Sequence, residues 1–253
     1  MTTHSSRLRP GSIETDEQLA RLAGEIGRPQ RLFLDTEFES RREGTRLCMV
    51  QLRVDDQIWL LDAVTLSDLS PLRDAFGHDK AEWIVHAGRQ DVALLMGALN
   101  MSERPRVFDT QVAWSLVGPE YQVSLAYIEA VLTGRIAQKG RQTDNWLRRP
   151  LPEPQLDYAA EDVEFLPDIF ARLEERLAPF DRMELVFELS AQQLWPHPSP
   201  PASLTADSFR GLWQLDLRQR ASLDFILDWY NGLAGHERKS APHRKVLFSV
   251  ASQ

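Results

Sequence analysis

Short apolar runs and stripes at helical spacing follow one another along this chain in an order that few folds accommodate. Leu32-Phe33-Leu34, Leu47–Val54, Gln57–Leu61 and Trp83-Ile84-Val85 read as buried strands, with Asp55-Asp56 as the turn joining the second to the third. Helical spacing appears before, between and after them. Leu19, Leu22 and Ile26 follow Thr15 as a cap and precede the stop signals Gly27 and Pro29. A second helix is expected from about Asp68 to Phe76. A third starts near Arg89, with Val92, Leu95, Met96 and Leu99 as its stripe. Beyond the short run Val107-Phe108, helices are expected from Thr110 to Leu116 and from Ser124 to Leu132. The clearest stripe is Leu156, Ala159, Val163, Leu166, Phe170 and Leu173, which Pro167 should kink by removing a backbone donor and crowding the preceding turn. Strands first, then helices mixed with strands, predict an α/β domain on a mixed sheet.

With 253 residues, the chain has room for one large domain or a medium one with a small appendage. Residues 1–12 read as a flexible tail and 13–194 as the main domain. The run Trp195-Pro196-His197-Pro198-Ser199-Pro200-Pro201 opens a stiff linker over 195–206, because so many prolines suit neither helix nor central strand. Residues 207–253 then read as a small helical segment, in which Leu212, Leu215, Leu223, Ile226, Leu227 and Trp229 suggest two short helices. The single cysteine, Cys48, excludes an internal disulfide and lies in an apolar run where a buried, inert thiol is expected. No apolar stretch approaches the roughly 18–20 residues a membrane span needs, and the N-terminus lacks the apolar core of a secretory signal, so a cytoplasmic protein without a membrane partner is expected. The formal net charge is −8, the wrong sign for a simple nucleic-acid coat. From Pro201 onward, however, seven Lys/Arg face five Asp/Glu, so that segment is net positive.

The chemistry gathers in carboxylates at the edges of these elements. The first strand reads as ending polar, in Asp35-Thr36-Glu37, so Asp35 and Glu37 are two residues apart at a strand end and both side chains point to one face. Two carboxylates there repel each other, and a divalent cation between them removes the penalty. A solvated pair at a strand terminus is the plainer alternative. Asp91 falls in the first turn of a helix, where an anion is favoured and where aspartate is common without any function. Tyr158 and Asp162 are i and i+4 on one helix and share its face, beside the apolar stripe. Four carboxylates offering oxygen ligands suit Mg²⁺ or Mn²⁺, and two such ions serve phosphodiester hydrolysis.

The segments Leu-Asp-Thr-Glu-Phe at 34–38, Val-His-Ala-Gly-Arg-Gln-Asp at 85–91 and Tyr-Ala-Ala-Glu-Asp at 158–162, with the basic loop from Lys139 to Leu151, resemble the ribonuclease D family of 3′–5′ exonucleases in order and spacing. The resemblance covers about residues 13–178. It implies a ribonuclease H-like mixed sheet flanked by helices, with a partial C-terminal helical domain after it. It also implies two divalent metal ions, Mg²⁺ or Mn²⁺, held by Asp35, Glu37, Asp91 and Asp162, with Asp35 bridging and Tyr158 orienting the attacking water. The implied reaction releases nucleoside 5′-monophosphates from single-stranded RNA 3′ ends, as in tRNA precursors. Candidate substrate contacts are Phe38, which stacks on a terminal base or else belongs to the core, and His86, for which a satisfied core histidine is the alternative. Lys139, Gln142, Asn145 and Trp146 are further candidates, on the loop, with pinning the loop down as the alternative for Trp146. A DNA exonuclease with the same chemistry and a catalytically inactive RNA-binding scaffold are the rival functions, and the presence of all five site residues speaks against the second.

Overall fold

In the computed structural model the six strands form one sheet in the order β1-β4-β3-β2-β5-β6. The structure describes residues 10–41, 44–135, 145–194, 203–209, 211–233, 241–242 and 244–252. The strands are β1 (Gly11–Ile13), β2 (Arg31–Arg41), β3 (Gly44–Val54), β4 (Gln57–Leu61), β5 (Glu82–Val85) and β6 (Arg106–Asp109). β2, β3 and β4 run antiparallel as a meander. β1 joins β4, β5 joins β2 and β6 joins β5 in parallel, so the sheet is mixed.

The helices follow from local sequence. α1 (Asp16–Ile26) opens on a capping box in which the Thr15 hydroxyl accepts from the Gln18 backbone and Gln18 reaches back. The other helices of this unit are α2 (Arg73–Phe76), α3 (Arg89–Ala98), α4 (Thr110–Val117), α5 (Leu125–Thr133), α6 (Glu153–Glu164), α7 (Leu166–Leu177) and α8 (Met183–Leu194). Pro167 sits in the first turn of α7, and the long apolar stripe is divided at Phe165 into α6 and α7. Alternation along β2 sends Leu32 and Leu34 into one core with α1, α2 and α3. Phe33 points the other way, into a second core with α4, α6, α7 and α8. The unit is therefore three layers, helices on both faces of a sheet.

Several expectations are corrected. β2 does not end at Asp35: β3 pairs with it as far as Arg41 opposite Gly44, so Asp35 and Glu37 stand in mid-strand. The tail stops short of residue 12, since Gly11–Ile13 pairs with Trp59–Leu61 of β4. Pro71 divides the expected helix at 68–76 into a 3₁₀ turn, Ser70–Leu72, and the short α2. α8 is an addition to the predicted elements.

The chain divides into two compact units, Met1–Trp195 and Pro196–Gln253. In the second, α9 (Leu217–Gly232) is a single long helix rather than part of a short pair, and α10 (Arg244–Ala251) packs on it around Leu223, Leu227 and Ala251. The proline-rich stretch 195–202 lies outside the described residues, as do residues 238–240 and 243 of the basic stretch. Among the described residues, no helix is long and apolar enough to cross a membrane.

Candidate active site

β2 delivers Asp35 and Glu37 to the sheet face that α6 covers. A register shift between Glu37 and Phe38, where Glu37 pairs with Met49 and Phe38 with Leu47, bends the strand just past the carboxylates. α6 delivers Asp162 and Tyr158 from above, one helical turn apart, and the Tyr158 hydroxyl donates to Asp162. Asp35, Glu37 and Asp162 each present a carboxylate oxygen within 4.8 Å of the others.

Asp91 arrives from the opposite layer, on the first turn of α3. The turn that leads into this helix is held by a residue sequence reading passed over. The buried Asp109 carboxylate accepts from the backbone N–H groups of Ala87 at 2.9 Å, Gly88 at 3.0 Å and Gln111 at 2.8 Å. Ala87 takes a left-handed φ of 51° there. A Cβ at Gly88 would stand 2.5 Å from Cγ2 of Val85, so this position accepts glycine alone. The Thr36 hydroxyl, between Asp35 and Glu37 on β2, donates to Asp91 Oδ1 and ties the second carboxylate-bearing segment to the first.

All four acids and Tyr158 line one cavity of about 500 Å³. It lies beyond the carboxyl ends of β5 and β6, the usual position for a ligand in an open α/β sheet. Phe38 and His86 also line it. Both His86 ring nitrogens are engaged, Nδ1 with the Thr110 hydroxyl at 2.9 Å and Nε2 with the Val123 carbonyl at 3.2 Å. Burial pushes its pKa down, so the ring is neutral and fixed. Asn145 is exposed and accepts from the Leu147 N–H in a local turn. Trp146 is 1% exposed and does not line the cavity. It packs with Met49, Leu60 and Ala159, its ring centre 6.3 Å from that of Tyr158. The indole packs against the tyrosine, as the alternative of a residue that pins the loop down requires. Lys139 and Gln142 lie outside the described residues. The far wall comes from Gln111, Ser124 and Leu125, which sequence reading did not single out. Ser124 was legible as a helix cap, but nothing in the sequence places that cap across from Asp35.

The electrostatics of this cavity demand positive charge. Asp35 is pushed well above the ordinary carboxylate range, first by burial and then by Asp162, Asp91 and Glu37. Asp162 is raised to about 7, chiefly by burial, against the opposing bond from Tyr158. Burial also raises Asp91, and the Thr36 hydroxyl opposes it. Burial and the surrounding carboxylates push Tyr158 far above its usual value, so it keeps its proton. Among the described residues lining the cavity there is no Lys or Arg. A set of hard oxygen donors, close together and without a countercharge from the protein, fits divalent cations such as Mg²⁺ or Mn²⁺.

The chain matches the 3′–5′ exonuclease family over residues 10–178. It is 33% identical to ribonuclease D of Granulibacter bethesdensis over 181 residues, which is 71% of this chain and 46% of that protein. The crystal structure of Escherichia coli RNase D, described as an exoribonuclease involved in structured RNA processing, superposes with a TM-score of 0.69 at 26% identity. That match covers 97% of this chain and 66% of the other. Brucella melitensis NrnC with bound Mg²⁺ shares the fold at a TM-score of 0.60 and 22% identity, over 74% of this chain and 90% of that one. The chain spans about half the length of the curated relatives it matches. With the acidic segments in the family's order and meeting in one cavity, this chain belongs to the 3′–5′ exonuclease family, on its ribonuclease D branch.

Proposed function

We propose that this protein is a metal-dependent 3′–5′ exoribonuclease that releases nucleoside 5′-monophosphates one at a time from RNA 3′ ends, tRNA precursors or other structured RNAs among them. The observation that carries the reading is the convergence of Asp35, Glu37 and Asp162 within 4.8 Å, in a cavity shared with Asp91 and Tyr158. In this reading Asp35, Glu37 and Asp162 hold one divalent ion, and Asp35 with Asp91 holds a second. Such a pair supplies the charge that activates water and stabilises both the entering and the leaving oxygen of phosphodiester hydrolysis.

The protein's own groups do the positioning. Tyr158 is an orienting group for the attacking water, because a phenol with an unperturbed pKa of about 10 is a poor base unless the metal lowers it. Thr36 and Asp109 fix Asp91, the first through its side chain and the second through the turn before α3. Phe38, half-buried at the cavity wall, offers a ring face to the terminal base. Residues 11–194 form the catalytic domain in this reading, the proline-rich run that begins at Trp195 the linker, and the segment from Leu204 to Gln253 an accessory helical domain whose surplus of Lys and Arg favours RNA by phosphate contacts.

The test is to incubate purified protein with labelled single-stranded RNA and DNA of equal sequence in Mg²⁺, Mn²⁺ or EDTA. Stepwise mononucleotide release from RNA, dependent on metal, is expected. Release that persists in EDTA overturns the metal reading, faster release from DNA overturns the ribonuclease reading, and no release with either metal favours a binding scaffold.

A further inference from the structure

Across the β2–β3 ladder stands a polar side chain that the chemistry above leaves unused. Gln51 pairs directly with Asp35 in the antiparallel register. Directly opposed residues share a sheet face, with Cβ atoms about 4.5–5.5 Å apart. The neighbours of Gln51 on that face of β3 define what covers it. Met49 packs with Ala159 of α6, and Arg53 donates to the carbonyl of Glu164 at the end of the same helix. Gln51 lies between them, under the helix that carries Tyr158 and Asp162. It is fully buried, at 0% exposure, and neither its amide nitrogen nor its amide oxygen has a hydrogen-bond partner among the described residues.

An unpaired amide in such a place works against folding, and an apolar side chain of similar volume would serve packing better. The strand agrees, since Val50 and Leu52 on either side of it are buried in the opposite core. A buried amide kept at this cost calls for a partner. The amide NH₂ is a donor, and the neighbour across the ladder is a carboxylate that only accepts. Carboxylates that bind metals are themselves held by hydrogen bonds from behind, which set their orientation.

We propose that Gln51 is a positioning residue for the carboxylate centre, its amide nitrogen donating to Asp35 from behind when that carboxylate holds divalent cation. The proposal rests on the metal-dependent reading of the site. It makes Gln51 a residue that lowers the stability of the metal-free protein and is repaid when the site is charged.

The decisive comparison is the full-length wild type against Gln51→Met, with Gln51→Leu as a second apolar replacement. Three quantities are read: the melting temperature in EDTA, Mn²⁺ affinity by calorimetry, and kcat and KM on single-stranded RNA. Both apolar variants are expected to melt higher than wild type in EDTA. They are expected to bind Mn²⁺ about 10–100-fold more weakly and to lose kcat by a similar factor at unchanged KM. Gln51→Glu, which keeps the shape but loses the donor and adds a like charge, is expected to lose more affinity than Gln51→Met. Apolar variants that keep wild-type Mn²⁺ affinity and kcat overturn the role of Gln51 alone. A lower melting temperature in EDTA also overturns it, because the amide is then satisfied without Asp35. A wild type that binds no Mn²⁺ overturns the metal reading, and this role with it.

Discussion

The two faces of the β2–β3 pair are built to opposite specifications. On one, Leu32, Leu34, Val50 and Leu52 close against α1 and α3 with no ionisable group among them. On the other, Phe33 and Met49 flank Asp35, Glu37 and Gln51, and each of these three polar groups stands at the edge of an apolar core. β2 thus gains stability from Leu32 and Leu34 and gives some of it up through Asp35 and Glu37. A buried carboxylate cluster is costly without a countercharge, and it persists only where the rest of the fold carries it. The first face carries it here, which makes stability and chemistry separable by a single-residue step along β2.

Substitutions one residue apart test that separation. Asp35→Asn is expected to lower kcat by on the order of 10³-fold or more, the scale of losing a preorganised electrostatic partner in a water-poor site. Its melting temperature in EDTA should equal or exceed that of wild type, since a repelled buried charge is removed. An Asp35→Asn protein that cleaves normally removes Asp35 from the centre. Leu34→Ala, the neighbour facing the other way, is expected to cost about 2–5 kcal/mol in chemical denaturation while activity per folded molecule is largely kept. Loss of kcat without loss of stability in that variant breaks the two-face account. Tyr158→Phe is expected to lower kcat by about 10²-fold with little change in KM, because it removes an orienting hydroxyl and no binding surface. A change confined to KM reassigns Tyr158 to substrate binding.

The same two-sidedness explains what the sequence did and did not reveal. Leu32-Phe33-Leu34 announced a buried strand, and the polar triplet after it read as the strand's end. Only the pairing of β3 out to Gly44 shows that Asp35 and Glu37 are held in mid-strand. Gln51 between Val50 and Leu52 has the pattern of an outward position on an alternating strand, yet α6 covers it. α8 escaped because its inner face includes Ser190, whose hydroxyl accepts from the Asp109 N–H at 3.1 Å and interrupts the apolar stripe. Tyr158 and Asp162 were legible as a pair because i and i+4 share a helix face whatever the helix packs on. Asp109 was not, since its three backbone partners come from a turn more than 20 residues upstream and from its own helix cap. Trp146 left two readings open in the sequence, a substrate contact and a pin for the loop, and its burial beside Tyr158 fits the second.

Acidity provides the gentlest of these tests, since it changes the carboxylates and leaves the hydrocarbon of the first face untouched. Asp162 has an ordinary value of 3.8 and is raised to about 7 in the fold. Between those values the folded protein holds a proton that the unfolded chain has released. The folded state binds more protons there, so stability falls as pH rises through this window. Asp35 and Asp91 shift in the same direction and add to the slope. The melting temperature in EDTA should therefore drop as pH is raised from about 4 to about 7, and Asp162→Asn should flatten part of that drop. Mg²⁺ or Mn²⁺ favours the ionised carboxylates and should reverse the trend near neutral pH. Leu34→Ala should lower the whole EDTA curve without changing its slope, because hydrocarbon does not titrate. Parallel curves for wild type and Asp162→Asn in EDTA would mean that Asp162 gives up its proton in the fold as readily as in water, and the case for a charge-starved centre would lose one of its titrating groups.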